Sequence, residues 1–319
     1  MPTKPRSDPA VVPLDVLRSA FELHLRAANK APRTVESYLA SVDHVGAYLR
    51  AQGMPTSPAG IRREHIEAYL ADLMARGYRP ASVAVYYRSL RVFFGYLVDE
   101  GEITVSPMAR MRAPAVPETP PPLLHDDELL RLLKTCDGKD FASRRDLAIL
   151  FLLLDSGMRR SELAGLTVND LDFEHRTAMV MGKGRRPRAC PFEFKTAECL
   201  HRYVRERSKR KDADRPELWL GLAGPLTSNG IYQAVKSRAG QAGLKGVFPH
   251  LFRHQFAHAH LAAGGNETDL MQLAGWRSRV MLDRYGSSAA TERALAAHHS
   301  LSLVDRLVAL EASSKRKRP

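Results

Sequence analysis

The chain has 319 residues, enough for two ordinary domains that each bury their own core. Its 48 Lys+Arg against 35 Asp+Glu give a formal net charge of +13 and a pI of about 9.9, a balance that favours a polyanionic partner, nucleic acid above all. A membrane protein or a secreted one is not expected: the strongly apolar run at 147–154 is far short of the roughly 20 residues that span a bilayer, and the first 13 residues are polar and proline-rich.

In chain order, the spacing first predicts a helix over 14–27, then three amphipathic stripes. Val35, Tyr38, Leu39, Val42, Val45, Tyr48 and Leu49 recur at three- and four-residue intervals, and Gly53 stands where that helix would stop. Ile66, Tyr69, Leu70, Leu73 and Met74 form the second stripe, ended by Gly77. Val83, Tyr86, Tyr87, Leu90, Val92, Phe93, Phe94 and Leu97 form the third, ended near Gly101. These predict a small all-helical domain over 1–112. Prolines 107, 114, 117, 120, 121 and 122 crowd the stretch between Ser106 and Leu123. Proline lacks a backbone donor and pushes its predecessor toward extended geometry, so a semi-stiff linker is expected, bounded at 113–122, with a second domain over 123–319. The chain through Val116 carries +4 and the remainder +9, so both halves are basic and together could enclose a duplex from two sides.

Beyond the linker, helices are expected at 126–133 and 144–154; the 147–154 part is apolar on all sides and reads as core. Strand-like segments at 171–173 and 177–181 flank a polar turn, Gly182-Lys183-Gly184 makes a second turn, and 188–190 return as a third strand. This is a small β-meander inside a mainly α domain. Helical patterns resume from Thr196, near 228–241, and over 252–262.

Several residue groups carry chemistry. Arg159 would start a helix, with Glu162 one turn on; its guanidinium offers a fixed fork that matches phosphate oxygens, and Glu162 suits bracing better than reacting. By itself this pair also fits a surface ion pair. Gly182-Lys183-Gly184 lacks the spacing of a nucleotide-binding loop, so ATP is not expected. A lysine at a tight turn can instead donate a proton to a departing oxygen. His250, His254 and His258 recur every four residues. The His254–His258 pair is close to a zinc-hydrolase helix, but Gln255 replaces the glutamate and no third ligand is evident, so no metal is expected. His250 and Arg253, at i, i+3, can face one phosphate. Trp276 follows Gly275, and its indole N–H can donate to an oxyanion. Tyr285 lies between Arg284 and Gly286, a polar setting. Cys136, Cys190 and Cys199 show no paired spacing, which speaks for a reducing cytoplasm.

The ordered set Gly-x-Arg-x-x-Glu-Leu, Gly-Lys-Gly, His-x-x-Arg-His, Gly-Trp and Tyr resembles the tyrosine recombinase (phage integrase) family, most closely its short Xer-like and simple integrase members. The resemblance covers nearly the whole chain. Arg33-Thr34-Val35-Glu36-Ser37-Tyr38 opens a region similar to the family's SAM-like core-binding domain, and residues from about 123 look like its catalytic domain, mixed α/β. The resemblance implies that Arg159 and Arg253 are catalytic arginines, Lys183 the hairpin lysine, His250 the histidine of the HxxR motif and Tyr285 the nucleophile. Trp276 stands where many members carry His. It further implies a site-specific recombinase that cuts double-stranded DNA through a 3′-phosphotyrosine and a Holliday junction, without metal, ATP or other cofactor. A homotetramer, or a heterotetramer with a related recombinase, would assemble on two sites in the cytoplasm. Thr34, Arg79, Arg88 and Arg91 are the expected DNA contacts of the first domain. Leu301, Leu303, Val304, Leu307 and Val308 would form a C-terminal helix that docks on a neighbouring protomer or on its own domain. A separate arm-binding domain has no room. Two alternatives share the scaffold: a type IB topoisomerase-like nicking-closing enzyme, and a non-catalytic DNA-binding regulator, against which the six occupied site positions argue.

Overall fold

A computed structural model describes residues 14–117, 122–182 and 186–282, and positions 298, 304, 307 and 308 beyond them. Lys183, Tyr285, Leu301, Leu303 and the basic tail lie outside the described residues. The chain divides into two compact units, Met1–Glu118 and Thr119–Pro319.

The first unit holds α1 (Leu14–Ala27), α2 (Pro32–Ala51), α3 (Arg63–Ala75) and α4 (Pro80–Asp99). Pro32 and Pro80 open their helices, where the missing N–H costs nothing because that donor has no intrahelical partner. Gly53, Gly77 and Gly101 follow α2, α3 and α4 in left-handed geometry. The inward faces meet in one core that includes Phe21, Val45, Leu49, Ile66, Tyr69 and Phe93.

One expectation needs correction here. Met74 and Val92, counted in the apolar stripes, are 44% and 41% exposed. The buried arc of a helix can hold two adjacent residues, as Phe93 and Phe94 show, but Met74 and Val92 fall outside it. Ahead of the expected 113–122 linker, the chain packs back on the first unit. Met108 and Met111 are buried in the first core, and the Tyr87 hydroxyl donates to the Met111 carbonyl at 2.7 Å. Flexible thioether side chains fill gaps that the four helices leave.

The second unit holds α5 (Asp126–Lys134), α6 (Phe141–Ser156), α7 (Arg160–Ala164), α8 (Phe194–Arg207), α9 (Ser228–Gln241), α10 (Pro249–Ala262) and α11 (Glu267–Ala274). Between α7 and α8 lie β1 (Leu171–Asp172), β2 (Thr177–Gly182) and β3 (Arg186–Pro191), antiparallel in the order β1-β2-β3. The fold is therefore mainly α with a small meander. Ala148, Ile149, Leu150, Leu152 and Leu153 of α6 are buried in the main core, with Leu147, Phe151 and Leu154 partly covered. Ala178 and Val180 of β2 face that core, while Met179 and Met181 face out, the two-residue period of a half-buried strand. A smaller cluster joins α10 and α11 through Ala257, Leu261, Leu270, Ala274, Trp276 and Leu282. Among the described residues no helix is long and apolar enough to cross a membrane.

Candidate active site

The site begins where α6 ends. Gly157 is left-handed (φ +55°), and a Cβ there would overlap the Phe256 ring of α10. Glycine alone lets the chain turn this close to α10. Two residues on, Arg159 caps the N-terminus of α7. Its backbone N–H donates to Glu162 Oε2 and its Nη1 donates to Glu162 Oε1, each at 2.7 Å. One buried carboxylate thus fixes both the backbone and the guanidinium of Arg159.

A third group reaches Glu162 from β3: Arg188 Nη2 donates to Oε2 at 2.9 Å. Burial works against the Glu162 carboxylate, but hydrogen bonds from Arg188 and Arg159 outweigh it and hold its pKa below the usual value. Burial likewise works against the Arg188 cation, and Glu162 more than offsets it.

Arg253 comes from α10 and is 1% exposed. Its Nη1 donates to the Gly157 carbonyl at 2.7 Å and its Nη2 to the Ala274 carbonyl at 2.5 Å. Its guanidinium carbon lies 5.4 Å from the centre of the Trp276 ring, within cation–π range. Trp276 is itself buried, and its backbone N–H donates to the Met271 carbonyl at 2.8 Å. Left-handed Gly275 (φ +65°) ends α11 and passes the chain to the indole.

Three arginines therefore meet three successive carbonyls at the end of α11. Arg188 Nε donates to Leu273 at 3.0 Å, Arg253 Nη2 to Ala274 at 2.5 Å, and Arg159 Nη2 to Gly275 at 3.4 Å. The C-terminal end of a helix carries partial negative charge, so it gathers the cations. His250 lies in the first turn of α10 and, with Arg159, lines a cleft of about 770 Å³ that also carries Arg160, Lys236 and Lys245. The residue keeps an exposed edge, yet loss of hydration on its crowded side, then the Arg253 and Arg159 cations, hold its pKa below the usual 6.5.

Arg159, His250, Arg253 and Trp276 thus come together; Lys183 and Tyr285 lie outside the described residues. In the first unit, Thr34 occupies the first turn of α2, Arg79 caps α4, and Arg88 and Arg91 are exposed along α4. Arg91 Nη1 also donates to the Tyr87 hydroxyl at 3.0 Å. Gln255, where a zinc-hydrolase helix carries glutamate, accepts the Leu124 backbone N–H at 3.1 Å. Among the described residues no three His, Cys, Asp or Glu side chains gather to hold a metal.

Sequence reasoning missed Arg188, because its carboxylate partner is 26 residues away and on another element. It also missed α11. The signal for α11 was present in Asn266, whose side chain accepts the Thr268 and Asp269 N–H groups, but eight residues are too few to show a helical period.

Comparison with known proteins gives the family. The Phage integrase family matches residues 122–292, and the phage integrase N-terminal SAM-like domain matches residues 17–101. Tyrosine recombinase XerC of Myxococcus xanthus is 31% identical over 280 residues, covering 85% of this chain and 93% of that protein. Two solved structures share the fold at lower identity. XerH site-specific recombinase bound to a palindromic difH substrate, a post-cleavage complex, superposes with a TM-score of 0.70 at 20% identity, covering 88% of this chain and 84% of that one. A lambda integrase tetramer bound to a Holliday junction superposes with a TM-score of 0.66 at 17% identity, covering 86% and 83%. The family match and the identity to XerC define the class, a site-specific DNA recombinase. The chain belongs to the phage integrase family and is a tyrosine site-specific recombinase of the Xer-like type.

Proposed function

We propose that the chain exchanges strands between two double-stranded DNA sites, with Tyr285 as nucleophile and Arg159, Lys183, His250, Arg253 and Trp276 as the other catalytic groups. The observation that carries this reading is the convergence of Arg159 and Arg253 on adjacent carbonyls at the end of α11, beside Trp276. Donors held in place before the reaction stabilise developing charge without reorganising. The Tyr285 oxygen attacks phosphorus, the 5′ oxygen leaves with a proton from Lys183, and a 3′-phosphotyrosine remains. Arg159, Arg253 and the Trp276 indole N–H stabilise the phosphorane, and His250, neutral at pH 7, takes part in proton movement at the nucleophile. The phosphoester count is unchanged, so ligation by a second 5′ hydroxyl needs no ATP.

Residues 1–112 serve as the core-binding domain, with Thr34, Arg79, Arg88 and Arg91 against DNA; 113–122 link it to a catalytic domain over 123–319. Two protomers on each site form a tetramer, of identical chains or with a related recombinase, that passes through a Holliday junction. The lambda integrase tetramer on such a junction supports this. So do Val304, Leu307 and Val308, which have helical backbone and are 68%, 54% and 60% exposed, as a helix that docks on a neighbour would be. The free buried cysteines suit work in the cytoplasm.

The test is a plasmid carrying two copies of a DNA sequence that the protein cleaves. Recombinant circles and Holliday-junction intermediates are expected. Relaxation of supercoils without recombinants would contradict strand exchange.

A further inference from the structure

We infer that Arg188 is a positioning residue of the recombination site: it aims Arg159 through their shared carboxylate, Glu162, and anchors the end of α11 from which Trp276 emerges. The inference rests on the recombinase reading above.

The Arg188 side chain is 12% exposed and lies between two parts of the site. Nη2 donates to Glu162 Oε2 at 2.9 Å and Nε to the Leu273 carbonyl at 3.0 Å. Only a planar fork holds two partners at such a fixed angle; a lysine ammonium is a point donor on a flexible stem. The Glu162 oxygen that Arg188 binds is the one that accepts the Arg159 backbone N–H, at 2.7 Å, while the other oxygen accepts Arg159 Nη1. Loss of Arg188 would therefore free the carboxylate to rotate and Arg159 to follow. Gly275 is part of the same fit: a Cβ there would sit 3.3 Å from Arg188 Cδ and Nε, so the α11 end and the arginine stem approach closely.

A purely structural role is the competing explanation, but a buried ion pair is costly and serves stability poorly. Three features favour positioning. The carboxylate serves a proposed catalytic arginine. The other anchor is the carbonyl three residues before Trp276. And Arg188 Nη1 is buried without a hydrogen-bond partner among the described residues, a cost that a purely structural pair has no reason to retain.

The experiment uses the full chain and a suicide duplex carrying a sequence that the wild type cleaves. Single-turnover formation of the covalent adduct is measured against DNA concentration for Arg188→Gln, Arg188→Lys, Glu162→Gln and the double variant, with melting temperature beside each. Because a misplacement of about 1 Å costs on the order of 100-fold in rate, Arg188→Gln should lower the maximal rate roughly 30- to 100-fold with the half-saturating DNA concentration nearly unchanged. Arg188→Lys, which restores charge but not the fork, should recover only part of the rate. The double variant should lose less than the product of the two single losses, since both act in part through the same carboxylate. A wild-type rate in Arg188→Gln, additive losses in the double variant, or rate and DNA affinity falling together with melting temperature would overturn the inference. If Arg188→Gln does not fold, Arg188→Lys decides, and a wild-type rate there overturns it. A wild type that forms no adduct at all would instead sink the recombinase reading.

Discussion

At the scale of single residues, the site depends on groups that do nothing chemical themselves. Glu162 holds Arg159 at both ends, and Gly157 lets Arg253 reach a carbonyl on the far side of the turn. Gly157→Ala would force a left-handed alanine and drive its methyl into Phe256. Left-handed strain and overpacking each cost about 1–3 kcal/mol, so a loss of roughly 2–6 kcal/mol in denaturant unfolding is expected. A loss below about 0.5 kcal/mol, the scale of an ordinary surface change, would contradict the packing described.

His250 makes a prediction in pH. Its folded pKa lies below the usual 6.5, so between the two values the unfolded chain binds more protons. Its contribution to stability is complete above the unfolded value and falls as pH drops toward the folded one. Activity should follow the neutral imidazole: the acid limb of single-turnover cleavage should lie below 6.5 and be absent in His250→Gln. A limb at or above 6.5, or one that survives the substitution, would contradict this. Sequence order alone identified Arg159, His250, Arg253 and Trp276 as candidates for one site, because each motif has a residue type suited to phosphate chemistry. It could not identify Arg188, whose meaning depends on a carboxylate brought to it by the meander.

At the scale of elements, helices with long apolar stripes were legible because a 3.6-residue period shows over four or five turns. Short α11 was not, and α7, five residues long, is held by tertiary partners such as the Trp219 indole donating to the Leu163 carbonyl at 2.8 Å. The burial of Met108 and Met111 was also illegible, since no local pattern marks a coil that packs back on its own helices. For α4, the proposed DNA-facing roles of Arg79 and Arg88 can be tested by salt. Each alanine substitution should flatten the slope of log K against log salt by about 0.9 for every phosphate the arginine neutralises, with melting temperature unchanged. Anisotropy titrations that show an unchanged slope would remove these residues from the DNA interface.

At the scale of the whole molecule, excess positive charge in both halves indicated a nucleic-acid partner before any motif was considered. The chemistry needed more. Residues 94 apart in sequence, Arg159 and Arg253, become neighbours because α6 turns sharply at Gly157 against α10 and because both arginines find the end of α11. No reading of local pattern contains that turn. What it produces is a preformed cationic seat, where the proposed nucleophile, Tyr285, would meet a bound phosphate. The direct measurement is to trap protein on DNA by denaturation, digest both, and identify the nucleotide-bearing peptide by mass spectrometry. The expected product is a nucleotide joined through its 3′ phosphate to Tyr285, with no adduct from Tyr285→Phe although that variant still binds DNA. A 5′ linkage, an adduct on another residue, or one that persists in Tyr285→Phe would contradict it.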